Sequence, residues 1–156
     1  MRRMATIATR IAELGLVIPV VPGPFGAYVP AKRSGNLLFV AGQLPMKDGK
    51  LVAVGALPST ATLEDGRRAA RQCVLNGLAA ALATGIELDA IVGVVRVGVF
   101  VSCHPTFHRH SEVANAASEL LLDLFGEAGR HARAAVGVAS LPLDASVEID
   151  FVFEVH

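Results

Sequence analysis

Val147-Glu148-Ile149-Asp150-Phe151-Val152-Phe153-Glu154-Val155 places an apolar residue at every odd position and an acid at three of its four even ones. A period of two this regular marks a strand with one buried face and one polar face. Just upstream lies Gly129-Arg130-His131-Ala132-Arg133-Ala134-Ala135-Val136-Gly137-Val138-Ala139-Ser140-Leu141-Pro142. The span Arg133 to Ser140 reads as a second strand. A turn containing Pro142 and Asp144 predicts that it forms a final hairpin with Ser146 to Val155. Within this small, apolar run Arg133 has no polar company. Its planar guanidinium suits bidentate capture of a carboxylate. That carboxylate belongs either to a small organic acid or to the protein itself.

Working back from this end, Ile91 to Ser102 is rich in Val and reads as a long central strand buried on both faces. Between it and Arg133, Val113, Ala116, Ala117, Leu120, Leu121 and Leu124 form the apolar stripe of a helix over 109–125, ended by Gly126. An earlier long helix should start near Thr62. The hydroxyl of Thr62 can cap the free amides, and Asp65 stands where a capping-box partner belongs. Its stripe is Ala70, Val74, Leu78, Ala81 and Leu82, with Gly85 as the stop and Cys73 beside it as a buried, inert thiol. Asn36 to Ala41 is an apolar strand, and Asp48-Gly49 predicts a hairpin turn between it and 50–54. Residues 5–15 read as a short helix with Ile7, Ile11 and Leu14 on one face. Pro19, Pro22, Gly23 and Pro24 then keep the chain extended or turning until Tyr28. The pattern implies an α+β domain: one sheet with two long helices on a single face, plus an N-terminal helical extension.

Composition narrows the function classes. A chain of 156 residues fits one domain with its own core. Apolar content of 53% and a mean hydropathy of +0.52 are high for that length. No window supplies the ~18 uninterrupted apolar residues of a membrane span. The surplus instead suggests self-association, which would cover the second sheet face. A formal net charge of zero, 5% aromatics and no Trp disfavour a nucleic-acid partner. Cys73 and Cys103 make no disulfide framework or metal-ligand spacing. Met1-Arg2-Arg3-Met4 is basic without a following apolar region, which argues against a secretory signal. A cytoplasmic protein is the expectation.

Four pieces in order resemble the RidA/YjgF family of reactive-intermediate deaminases, whose older label is endoribonuclease L-PSP. They are Phe25-Gly26-Ala27-Tyr28-Val29, Gly35 through Pro45, Val95 through Val101, and Ala132-Arg133-Ala134 through Pro142 with Val147-Glu148-Ile149. The resemblance covers about 25–155, leaving 1–24 as an extension to a single domain over 25–156. It implies a chorismate-mutase-like fold with a mixed sheet and a homotrimer with ligand clefts between subunits; because an imine is already electrophilic, no cofactor or metal is expected. The implied chemistry is hydrolysis of enamine/imine intermediates of the 2-aminoacrylate/2-iminopropanoate type to a 2-keto acid and ammonia. By the same resemblance, Arg133 holds the substrate carboxylate and Glu148 serves the hydrolytic water. Tyr28, Gly42 and Gln43 line the cleft. Three departures mark a divergent subgroup: Ala41 where the family commonly has Ser, Ala135 where it often has Cys, and the segment 102–109 with Cys103, His104 and His108. A non-catalytic trimeric metabolite-binding protein, or an endoribonuclease, are the alternatives.

Several residues carry a second reading. Glu148 could belong simply to the polar face of its strand. A tight hairpin, however, pairs odd with even positions, which would bring Arg133 and Glu148 to one face. Tyr28 serves equally as packing, and Asn115 reads as a solvated helix position. His104 and His108 are four apart, as in helical zinc motifs, but Pro105 opposes a helix across them and no acid completes the pattern. They suit a loop near the cleft. Cys103 reads either as buried or as an exposed, reactive thiol, and His131 either as a surface residue or as a pH-sensitive neighbour of Arg133; the sequence does not decide between them.

Overall fold

The computed structural model describes residues 5–21 and 26–156. The expectations for Met1–Met4 and for Pro22, Gly23, Pro24 and Phe25 lie outside the described residues. A five-stranded sheet has the order β1 (Ala31–Ser34), β2 (Leu37–Gln43), β7 (Val147–Val155), β5 (Ile91–Ser102), β6 (Ala132–Val138). All neighbours are antiparallel except β5 and β6, which run parallel. Helix α3 (His110–Phe125) separates that pair in sequence, as a parallel pairing requires. Both α3 and α2 (Leu63–Leu82) pack on the sheet face that carries Val97, Ile149, Phe151 and Phe153. This is the α+β arrangement that the sequence pattern implies, with the mixed sheet that the family resemblance implies.

The expected hairpin between the last two strands does not form. β6 is an edge strand bonded to β5, whereas β7 is inserted between β2 and β5. The connection is tied down elsewhere. Ser146 Oγ donates to the Gly55 carbonyl at 2.6 Å, and Gly55 N donates to the Asp144 carbonyl at 2.7 Å. Anchored on the 53–57 loop, the chain crosses β5 rather than turning back on β6. The Asp48-Gly49 turn is also reassigned. With φ of 51° and 76° it closes a separate two-residue hairpin of β3 (Met46–Lys47) and β4 (Lys50–Leu51). Strand β1 has no counterpart in the pattern reading.

The helices follow their local signals closely. Thr62 Oγ1 accepts from Asp65 N at 3.1 Å while Asp65 Oδ2 accepts from Thr62 N at 2.9 Å, a complete capping box. Helix α2 comes close to the sheet at Gly77, and its small Ala69, Ala70, Ala80 and Ala81 are buried as well. A Cβ on Gly77 would stand 2.5 Å from Cε2 of Phe151. The N-terminal α1 (Ile7–Glu13) sends Ile7 and Ile11 into the same core, while Leu14 remains 43% exposed.

The other sheet face is open. Register places Phe39, Val152, Arg96, Asp150, Phe100, Glu148 and Val136 there. Phe39 is 47% and Val136 45% exposed, and Val92, Val95 and Arg96 of β5 are exposed as well, so β5 is not covered on both sides.

Candidate functional site

Arg133 projects from the β6 edge on the helix side, in register with the buried Val97. Asn115 and Ser118, three apart on α3, meet it there. Arg133 Nη1 donates to Asn115 Oδ1 at 2.9 Å and to Ser118 Oγ at 3.1 Å. His131 lies two residues earlier, just before β6 begins. Its Nδ1 lies 2.6 Å from the Gly129 carbonyl and its Nε2 2.9 Å from Ser118 Oγ. The carbonyl can only accept, so the ring proton of the neutral imidazole is assigned to Nδ1. Nε2 then accepts the Ser118 hydroxyl, and the Ser118 oxygen is free to accept from Arg133. The chain Gly129, His131, Ser118, Arg133 is therefore polarised in one direction.

This arrangement fixes Arg133 through one nitrogen. Among the described residues no acid pairs with it, so a salt bridge to Glu148 is not what holds it. Its Nε and Nη2 edge makes no hydrogen bond among the described residues, which leaves the bidentate fork open. Ser118, Leu122, Arg130, His131 and Arg133 line a hollow of about 190 Å³ beside it. Asn115, read from sequence as a solvated position, thus contacts the guanidinium. Ser118 was missed. The signal was available in the i, i+3 spacing of two small polar residues facing the strand edge.

Glu148 lies elsewhere. In β7 it is in register with Phe100, whereas Arg133 is in register with Val97, an odd number of residues away on the same neighbouring strand. The two side chains leave opposite faces of the sheet. This corrects the expectation that they share a face, which depended on a hairpin that β6 and β7 do not make. Glu148 is accompanied by Gly42 instead. A bulge between Val40 and Gln43 turns position 42 towards it, and a Cβ there would sit 2.5 Å from Glu148 Oε1. Glycine at 42 gives the carboxyl its room. Gln43 folds its amide back onto the Ala41 carbonyl at 2.9 Å, and its own carbonyl accepts from the Cys73 thiol at 3.2 Å. Cys73 is fully buried and burial pushes its thiol well up, as expected of an inert thiol. Tyr28, 63% exposed, leads into β1, at the opposite sheet edge from Arg133.

Partial burial, and secondarily the Asp150 charge, raise the Glu148 carboxyl above its usual 4.5. The folded state therefore holds this proton more tightly than the unfolded chain does. The stability from this group is complete below its unfolded value and is lost as pH rises through the raised folded one. Glu148→Gln is accordingly expected to melt slightly higher than the parent protein near neutral pH. Below pH 4.5 the two should coincide. Thermal melts across that range check it.

Cys103, His104, His108 and His110 line one cavity of about 580 Å³ at the far end of β6. Among the described residues no three His, Cys, Asp or Glu side chains converge as ligands of a metal ion would. No helix among them is long and apolar enough to cross a membrane.

A mixed five-stranded sheet backed by two helices, with an Arg held through one nitrogen on its edge strand, defines the class. The profile described as "YjgF/chorismate_mutase-like, putative endoribonuclease" matches residues 8–155. The chain belongs to this YjgF/RidA family. It is 42% identical to Protein TCP17 of Trypanosoma cruzi over 96% of this chain and 94% of that one. A 2-iminobutanoate/2-iminopropanoate deaminase of Dermatophagoides farinae is 29% identical over 85% of this chain and 88% of the relative. Among solved structures, a protein of unknown function from Agrobacterium tumefaciens superposes with a TM-score of 0.89. It is 43% identical, with 97% of this chain and 94% of that one covered.

Proposed function

We propose that the protein is a cytoplasmic homotrimeric deaminase that hydrolyses small 2-imino acids to 2-keto acids and ammonia. The observation that carries this reading is Arg133, pinned through Nη1 and with its Nε–Nη2 fork unpaired among the described residues. That fork would hold the substrate carboxylate, placing the adjacent imine carbon for attack by water. Glu148 is the second group. Its raised titration makes its carboxylate a better general base for the attacking water than an ordinary glutamate. The proton it takes passes to the imine nitrogen, giving a carbinolamine; the hydroxyl proton of that adduct then moves through Glu148 to nitrogen as the carbon–nitrogen bond breaks, releasing the 2-keto acid and ammonia. An imine is electrophilic enough that no covalent nucleophile is needed.

Because Arg133 and Glu148 leave opposite sheet faces, we place the complete site between copies of the chain. There the Arg133 edge of one copy would meet the Glu148–Gly42 face of the next. The exposed Phe39 and Val136 on that face support self-association. Gln43 and Tyr28 would complete the walls. In the test, 2-aminoacrylate is generated in place by a PLP-dependent dehydratase and keto-acid formation is followed. Acceleration over the spontaneous rate is expected. Saturable 2-keto-acid binding without turnover would replace this reading with that of a metabolite-binding protein. The endoribonuclease reading has against it the zero net charge and 5% aromatic content.

A further inference from the structure

The cavity at the end of β6 holds a nucleophile and a base that imine hydrolysis does not use. Cys103 follows β5, and its backbone N donates to the Val138 carbonyl at 3.2 Å. Its Sγ lies 3.4 Å from Nε2 of His110, the first residue of α3. The edge of one ring faces the other where Phe107 meets His110, at 5.5 Å between centroids and 89° between planes, which holds the imidazole in place. Gly137 opposite is what opens the pair to the cavity. A Cβ there would stand 2.7 Å from Cys103 Sγ and 2.7 Å from His110 Nε2. Neighbouring imidazoles are differently occupied: His104 Nε2 is bonded to the Ser59 hydroxyl at 2.8 Å, and His108 is exposed. Among the described residues no carboxylate, Lys or Arg lines the cavity. Gly137 lies four residues beyond Arg133 along extended β6, about 13 Å away.

We propose that Cys103 and His110 form a thiol–imidazole pair that captures soft carbon electrophiles, of the α,β-unsaturated carbonyl class, as covalent adducts on Sγ. Sγ bonds to the β-carbon while its proton passes to Nε2, and the carbon–carbon π pair moves to give the enolate. The imidazolium then returns the proton to the α-carbon. Thioether and neutral imidazole result, with no oxidant or reductant involved. Burial raises the Cys103 thiol, so preformed thiolate is scarce and the reaction depends on the base. The cavity of about 580 Å³ has room for such a ligand and presents a largely uncharged wall.

The probe is N-ethylmaleimide, with adducts counted by intact mass and mapped by peptide mass. One adduct is expected on the folded protein, at Cys103, with the buried Cys73 untouched. Cys103→Ser should take up none. His110→Gln keeps a polar side chain but removes the base, and should slow labelling by about tenfold or more. Should His110→Gln also lower the melting temperature, Gly137→Ala tests the same pair from the strand side and should slow labelling likewise. Unreactive Cys103 in the parent protein overturns the proposal. So does an unchanged rate in whichever of these two variants is stably folded.

Discussion

Arg133→Ala is expected to lower kcat/KM for imine hydrolysis by at least about 100-fold, on the order of 3 kcal/mol of transition-state stabilisation. The fork of Arg133 is the group proposed to grip the substrate carboxylate, and no other cation contacts Asn115 and Ser118 in its place among the described residues. The fold should survive. The side chain stands on an edge strand, and the partners it leaves, Asn115 and Ser118, are not fully buried and can turn to water. Arg133→Lys separates charge from geometry. A lysine keeps the positive charge but presents a point donor instead of a planar pair, so an intermediate loss of about tenfold is expected. Steady-state rates for both variants, with circular dichroism to confirm folding, decide the matter. Full activity in Arg133→Ala would remove the basis of the proposed function.

The parts of this site were legible in the sequence to different degrees, for physical reasons. The alternation of Val147 to Val155 and the Val-rich run of β5 were readable because side-chain period is a local property of extended chain. So was the Thr62–Asp65 cap, which needs only residues three apart. Strand order is not local. The same turn signal at Pro142 and Asp144 serves a hairpin or a crossover, and the choice was made by contacts from the 53–57 loop, some 90 residues upstream. That single ambiguity determined whether Arg133 and Glu148 share a face. The polar relay behind Arg133 is long-range in the same way, because His131 and Ser118 meet only once β6 is docked beside α3. Arg133 itself stood out because nothing nearby in the sequence could satisfy it.

The close approach of α2 to the sheet leads to a stability prediction in which one substitution changes sign with its background. Phe151 is 1% exposed and its ring stacks on Phe153 at 5.4 Å between centroids. Phe151→Ala should cost about 3–5 kcal/mol, from lost transfer energy and the cavity left behind. Gly77→Ala places a methyl 2.5 Å from Cε2 and 2.7 Å from Cδ2 of that ring. A stacked ring in a packed core has no free direction in which to yield, so overpacking of about 1–3 kcal/mol is expected. The gain in helix propensity, about 1 kcal/mol, offsets only part of this, and the variant should be less stable than the parent protein. With Phe151→Ala already present the collision is gone. The new methyl then keeps its propensity advantage and fills part of the cavity, so the double variant should be more stable than Phe151→Ala alone by about 1 kcal/mol. Urea unfolding of the four proteins measures the coupling directly. Additive effects would mean that Gly77 and Phe151 do not set the distance between α2 and β7, and the helix would have to be held there by its alanines alone.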